Sequence, residues 1–155
     1  MGRFDVNPTD PPVRKERPEH AMRRFVDAEV VRGAHGEVSL SGADEALRTL
    51  GSLLRSGVDT ELELRTVTPR PPYVAAADSI GISVDESAKV LVAWEGERLT
   101  FTGGVEALAL LGGNISSHAD ELALPGAHAH IEWFPGHFFL REGSEPMVVS
   151  RRPKT

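Results

Sequence analysis

The chain contains one stretch of sequence twice, and this repeat limits the fold more than any other feature. Residues 37–54, EVSLSGADEALRTLGSLL, align with residues 98–115, RLTFTGGVEALALLGGNI, at a constant offset of 61 positions. The alignment matches Leu50-Gly51 to Leu111-Gly112, and EAL at 45–47 to EAL at 106–108. Self-similarity of this kind indicates one structural unit used twice.

The hydrophobic period changes partway through each copy. Apolar residues first alternate with polar ones, as in a strand with one buried face, and then recur every three or four positions, as in an amphipathic helix. In the first copy the alternating residues are Val38 and Leu40, and the helical ones are Leu47, Leu50 and Leu54. Glycine-containing turns at 33–36 and 95–96 predict that another strand precedes each of these strands in a hairpin.

A further alternating segment follows each predicted helix. It reads TELELRTV in the first copy and AHAHIEWF in the second, and EPMVVS near the end adds a last strand. The predicted fold class is therefore α+β, built from a duplicated β-β-α-β unit. We expect one mostly antiparallel sheet of about six or seven strands, with two helices on one face.

The sequence divides into one domain and two tails. Residues 1–22 are rich in proline and charge, which predicts a disordered tail, and RRPKT at 151–155 is a basic tail. The single α+β domain at 23–150 comprises repeat one at 25–67, a connector at 68–87, repeat two at 88–134 and a C-terminal segment at 135–150. The connector is expected to hold a short helix and part of a strand.

Composition excludes several classes of protein. The 155 residues include no cysteine, so the chain has no disulfide, no thiolate nucleophile and no thiolate metal site. Nowhere do roughly eighteen apolar residues run together, as a membrane span requires. The first twenty residues lack the apolar stretch of a secretory signal. We expect a cytoplasmic protein without a membrane partner.

The predicted domain is strongly acidic. Residues 25–150 contain eight basic residues against nineteen acidic ones, a net charge of −11. Such a charge repels nucleic acid and anionic lipid, so neither is an expected partner. A basic protein partner suits it, although solubility alone also explains an acidic surface.

Half of the six histidines lie in one short segment. His128, His130, Glu132 and His137 fall within ten residues. Alternate residues of a strand share a face at a spacing of about 6.5 to 7 Å, so the first three side chains are expected to point together. Imidazole and carboxylate groups at this spacing can bind a transition metal. Hydrogen-bonded histidines on the polar face of a strand are the other interpretation.

The first copy favours the polar face over the metal site. Its corresponding segment carries glutamate and arginine and supplies no imidazole. A polar face present in both copies predicts a sheet surface left open to water or to a partner. The predicted contact positions on this surface are Glu61, Glu63, Arg65, His128, His130 and Glu132, with Trp133 and His137 nearby.

Catalytic motifs are missing from the sequence. It has no G-x-S-x-G elbow, no phosphate-binding G-x-x-x-x-G-K-[ST] loop and no H-E-x-x-H pair. We therefore predict no catalytic residue, no cofactor and no enzymatic activity.

The C-terminal region resembles a known family of bacterial proteins. The run HAHIEWFPGHFFLREGSEPMVVS, together with the preceding GERLTFTGGVEALALLGGNI, is similar to the polymorphic-toxin immunity proteins of family 32. The residues that carry the resemblance are His128, His130, Glu132, Pro135, Gly136, His137, Leu140, Ser144, Pro146 and Val148. The resemblance covers about residues 25–150, with its specificity concentrated in 128–149. It implies an α+β protein that neutralises a cognate toxin by binding it, without catalysis.

Three functional hypotheses remain at this point. The first is a non-enzymatic protein-binding module that neutralises a cognate protein toxin. The second is a small metal-binding protein or metal-dependent enzyme that uses the four side chains of the 128–137 cluster. The third is a homodimer whose interface is the open sheet face.

Overall fold

The computed structural model describes residues 24–121 and 128–152, so the predicted tail at 1–22 lies outside the described residues. Within them the chain forms ten strands and two helices. In chain order these are β1 (Arg24–Phe25), β2 (Ala28–Gly33), β3 (Val38–Gly42), α1 (Asp44–Leu54), β4 (Thr60–Glu63), β5 (Tyr73–Ala77), β6 (Ser79–Val84), β7 (Leu91–Glu95), β8 (Arg98–Gly103), α2 (Val105–Glu121), β9 (His128–Ile131) and β10 (Met147–Arg151).

The strands form two sheets of five. Sheet A has the order β1-β4-β6-β8-β7, and sheet B has the order β5-β2-β3-β10-β9. The α+β class is confirmed, but the expectation of a single, mostly antiparallel sheet is wrong. Both sheets are mixed, because β6 pairs with β8 in parallel and β10 pairs with β3 in parallel.

Crossing of the chain between the sheets explains this difference. The hairpin β2-β3 lies in sheet B, and after α1 the next strand, β4, joins sheet A. The hairpin β7-β8 lies in sheet A, and after α2 the next strand, β9, joins sheet B. Hydrophobic periodicity indicates which face of a strand is buried, but it does not indicate which strand lies beside it.

The two sheets share one pattern of pairing. Along β2-β3-β10-β9, and again along β7-β8-β6-β4, successive pairs are antiparallel, parallel and antiparallel. The pairing registers also relate each strand of the first series to one strand of the second, residue by residue. Val38 and Leu99, which are 61 positions apart, pair with Met147 and Ile80. Those two residues pair in turn with Ile131 and Leu62. Positions related in this way are called equivalent below, so that Glu61 is equivalent to His130 and Glu63 to Glu132.

The helices pack against each other at two matched glycines. A Cβ atom built on Gly112 would lie 2.4 Å from the carbonyl oxygen of Gly51, and one built on Gly51 would lie 2.6 Å from the carbonyl oxygen of Gly112. Leu47, Leu50 and Leu54 of α1 are buried beside this contact. The crossing therefore depends on the close backbone approach that glycine allows.

The structure contains more strand than the sequence predicts in two places. The connector at 68–87 holds β5 and β6, in place of a short helix and part of a strand. Ile80 and Ile82 of β6 are buried in the core, and β6 lies at the centre of sheet A. At the other end β10 continues to Arg151, the first residue of the predicted basic tail. Within the described ranges, neither helix has the length and apolar character needed to cross a bilayer.

Candidate functional site

The outer face of sheet B is open and carries few charges. Register places Val31, Ser39, Val148 and His130 side by side across four strands. A second row contains Glu29, Ser41, Ser150 and His128. The intervening residues are in the core: Val30, Leu40 and Val149 are completely buried, whereas His128 and His130 are exposed. The two rows consist mainly of small side chains, with the Glu29 carboxylate on β2 and the two imidazoles on the edge strand β9.

The equivalent face of sheet A has different chemistry. Its row contains Ala93, Thr100, Gly81 and Glu61. The Arg98 guanidinium lies over Gly81 and donates from Nε and Nη2 to the two carboxylate oxygens of Glu61, at 3.0 and 2.9 Å. These hydrogen bonds to Glu61 raise the pKa of Arg98 above its usual value. The Arg98 and Glu61 charges on this face are therefore paired with each other.

The predicted contact positions do not form one surface. Glu61 and Glu63 lie on β4 in sheet A, and His128 and His130 lie on β9 in sheet B. They separate because the strands that follow the two helices enter different sheets. The prediction of a single duplicated polar face is therefore corrected to two faces, one in each sheet.

Arg65 has a role in joining parts of the fold. Its side chain is hydrogen-bonded to the Asp27 carboxylate, which also accepts a hydrogen bond from Arg152 Nη2 at 2.6 Å. The hydrogen bond from Arg65 is the largest cause of the lowered pKa of Asp27, and the same bond raises the pKa of Arg65. The three side chains tie the residues after β4 and β10 to the turn between β1 and β2.

Exposed aromatic rings lie beside β9. Phe138 is 86% exposed and Phe134 is 56% exposed. They border a cavity of about 250 Å³, called the aromatic pocket here. It is lined by Asn114, His130, Ile131, Glu132, Phe134, His137, Phe138 and Phe139. The sequence prediction did not include the two phenylalanines among the contact residues; their signal is the aromatic-rich segment WFPGHFF, whose Pro135-Gly136 turn interrupts the strand period.

His137 shapes the loop that presents Phe138. It is only 8% exposed, and its Nδ1 accepts hydrogen bonds from the backbone N–H groups of Phe139 and Leu140, both at 3.1 Å. Its carbonyl oxygen accepts a hydrogen bond of 2.6 Å from Lys89 Nζ. An imidazole whose Nδ1 accepts in this way is neutral, with its one N–H proton on Nε2. Burial, and then the nearby Lys89 charge, lower the pKa of His137.

We expect the fold to lose stability in mild acid through His137. Because the folded-state pKa lies below the ordinary value of 6.5, the unfolded chain binds more protons over this interval. The contribution of His137 to stability is therefore complete above about pH 6.5 and declines as the pH falls towards the folded-state pKa. Urea unfolding at about pH 8 and about pH 5.5 measures the effect.

Two variants identify the source of that pH dependence. His137→Asn keeps a neutral acceptor near the two N–H groups and should flatten the pH dependence. His35→Asn, at an exposed position, should leave it unchanged. An equal change in both variants would contradict the role given to His137.

The four residues of the metal hypothesis do not converge. All four are described, and among the described residues no group of three histidine, cysteine or carboxylate side chains could hold a metal ion. His128 and His130 approach each other, with ring centroids 5.0 Å apart, but Nδ1 of His137 is occupied by backbone donors. Trp133, a predicted contact, is partly buried against the core.

Comparison with known proteins identifies one family. The family model described as Immunity protein 32 matches residues 98–152, somewhat more than a third of the chain. No curated protein and no solved structure matches the chain. The matched stretch contains β8, α2, β9 and β10, together with every residue that lines the aromatic pocket. The resemblance predicted from the sequence is therefore confirmed: over residues 98–152 the chain is similar to the Immunity protein 32 family.

Proposed function

We propose that this chain is an immunity protein that neutralises a cognate bacterial toxin by direct binding, without catalysis. The observation that carries the proposal is the position of the aromatic pocket. Every residue of the pocket lies within the stretch that matches the Immunity protein 32 family. A second cavity, of about 370 Å³ and lined by residues between 24 and 49, lies outside that stretch.

The proposed contact surface is the β9 side of sheet B, comprising His128, His130, Glu132, Phe134 and Phe138. Exposed aromatic side chains often dominate the energy of protein interfaces, and Phe134 and Phe138 are the exposed aromatic residues of this surface. The paired charges on the outer face of sheet A make it the weaker candidate, since desolvating an ion pair costs free energy. Glu61, Glu63 and Arg65 are accordingly not part of the proposed surface.

The charge of the domain suggests the nature of the toxin. With a net charge of −11 over residues 25–150, long-range attraction would speed association with a basic protein. We therefore propose a basic toxin, bound faster at low ionic strength than at high ionic strength.

Co-expression with the product of the gene immediately upstream tests the proposal. We expect that product to be toxic alone, to be tolerated when this chain is present, and to purify with it as one complex. A product that is harmless alone, or that does not co-purify, contradicts the proposal. Sedimentation of this chain by itself tests the homodimer hypothesis, since a dimer closed through sheet B would cover the same surface.

A further inference from the structure

The outer edge of β9 is open where the equivalent edge of β4 is filled. In sheet A, β1 lies beside β4 in parallel, with Arg24 opposite Leu62 and Phe25 opposite Glu63. In sheet B, β9 is the last strand, and among residues 24–121 and 128–152 no strand pairs with its outer edge. An exposed edge of this kind can accept a strand from another chain.

Backbone hydrogen bonds around β4 show which groups of β9 face the open edge. The carbonyl oxygen of Glu63 accepts from Val26 N at 2.9 Å, on the β1 side, and Leu64 N donates to Asp78 O at 3.0 Å, on the β6 side. Backbone groups of successive strand residues point to opposite edges. Since Glu61 is equivalent to His130, the N–H and C=O groups of His130 face outward. Glu132 directly follows β9, and the same alternation is expected to turn its N–H and C=O groups outward too.

Chain connectivity explains why no strand like β1 lies at this edge in the part of the chain that the structure describes. The segment before β7, at residues 85–88, corresponds to β1 before β2, but it is confined between the end of β6 at Val84 and the start of β7 at Leu91. Asp85 N donates to Gly103 O at 2.9 Å, and Asp85 Oδ1 accepts from Ser87 N at 2.8 Å. These bonds hold the segment next to the start of α2 instead of beside β9.

The position of Val26 indicates what an added strand would bury. Val26 directly follows β1, bonds to the carbonyl oxygen of Glu63 and is only 4% exposed. At the equivalent place, directly after β9, the lining of the aromatic pocket includes Glu132, and the pocket is open to solvent there. An apolar side chain carried on a strand at this edge would therefore meet a cavity of about 250 Å³.

We propose that an extended segment of the toxin adds to the edge of β9, parallel to it, as β1 adds to β4. The segment bonds through its backbone to His130 and Glu132 and places an apolar side chain in the aromatic pocket. The exposed carboxylate of Glu132 favours a basic residue beside that side chain. This inference rests on the proposed function and specifies how the partner is held.

Hydrogen exchange of the full chain, free and bound to the purified upstream gene product, tests the added strand directly. In the free protein the amides of Ala129 and Ile131 should be protected by pairing with β10, and those of His130 and Glu132 should exchange fast. In the complex the His130 and Glu132 amides should slow at least about tenfold. Unchanged exchange at both amides in a formed complex would overturn the added strand.

A pair of variants at one position separates backbone from side-chain contact. His130→Pro removes an outward N–H that β10 does not use, and proline is tolerated at such edge positions. His130→Ala removes the imidazole and keeps the N–H. We expect the proline variant to bind about tenfold more weakly than the alanine variant, as for one lost backbone hydrogen bond that leaves a buried acceptor unpaired. Equal affinity of the two variants contradicts strand addition, and if the proline variant does not fold, the exchange measurement alone decides.

The remaining outcomes distinguish this inference from the proposed function. Failure of the wild-type chain to bind the upstream gene product overturns both. A complex without new protection on β9 overturns only the added strand. Protection of His130 and Glu132 in the free protein, together with a dimer in sedimentation, overturns the toxin segment in favour of a second copy of this chain.

Discussion

Gly112→Ala is expected to destabilise the fold by about 2 to 3 kcal/mol, whereas Gly113→Ala, at the next position of the same helix, is expected to stabilise it by up to about 1 kcal/mol. A Cβ atom at position 112 would lie 2.4 Å from the Gly51 carbonyl oxygen and 2.9 Å from the Leu54 Cβ. Since backbone atoms of α1 occupy that space, the helices would have to move apart. A Cβ atom at position 113 meets nothing within 4 Å, so only the gain in helix propensity remains.

Thermal and urea unfolding of the two variants measure the difference. For a domain of this size, each kcal/mol corresponds to roughly 2 to 4 °C in Tm. Gly51→Ala provides an independent check, because its Cβ would lie 2.6 Å from the Gly112 carbonyl oxygen. Equal stability of Gly112→Ala and Gly113→Ala would contradict the close crossing of α1 and α2.

The sequence predicted the two helices better than it predicted the sheets, but it did not predict the contact between the helices. Leu50-Gly51 and Leu111-Gly112 match at the repeat offset, and the structure brings the two glycines into contact. In the structure a hairpin is followed by a helix and a strand at β2-β3-α1-β4 and at β7-β8-α2-β9. The order of these elements depends on the hydrophobic period within about twenty residues, which sequence patterns report well. The contact between Gly51 and Gly112 instead joins residues 61 positions apart.

The division into two sheets depends on pairing between distant residues. Val38 lies beside Met147, and Leu99 lies beside Ile80, in parallel pairs that join different parts of the chain. All four residues are buried, and the apolar alternation that buries them would suit one sheet as well as two. The sequence therefore could not show that Glu61 and His130 lie on separate faces.

His137 and Phe138 show a similar limit at the candidate site. Counted along the chain, His137 belongs with His128 and His130, but the Pro135-Gly136 turn ends the strand alternation and His137 is buried. Its neighbour Phe138, which the sequence alone would place in the core or at its rim, is instead the most exposed of the large hydrophobic residues described. Periodicity predicts burial only while the strand continues. It therefore does not predict which side chains are buried in the loop after Ile131.

Phe138→Ala is expected to weaken binding to the toxin by about 2 kcal/mol or more, roughly thirtyfold in Kd, and to leave stability within about 0.5 kcal/mol of wild type. The ring is 86% exposed beside the aromatic pocket, so its truncation opens no cavity in the core. In a complex the partner would bury the exposed apolar surface of this ring, and aromatic anchors at the centre of an interface commonly carry this much of the binding energy.

Phe25→Ala is the matched control, since it removes a phenyl ring that is 54% exposed on β1 of sheet A. Titration calorimetry with the purified upstream gene product, alongside urea unfolding of each variant, should show the loss of affinity for Phe138→Ala alone; a similar loss in both variants, or in neither, would place the toxin contact away from the β9 side of sheet B.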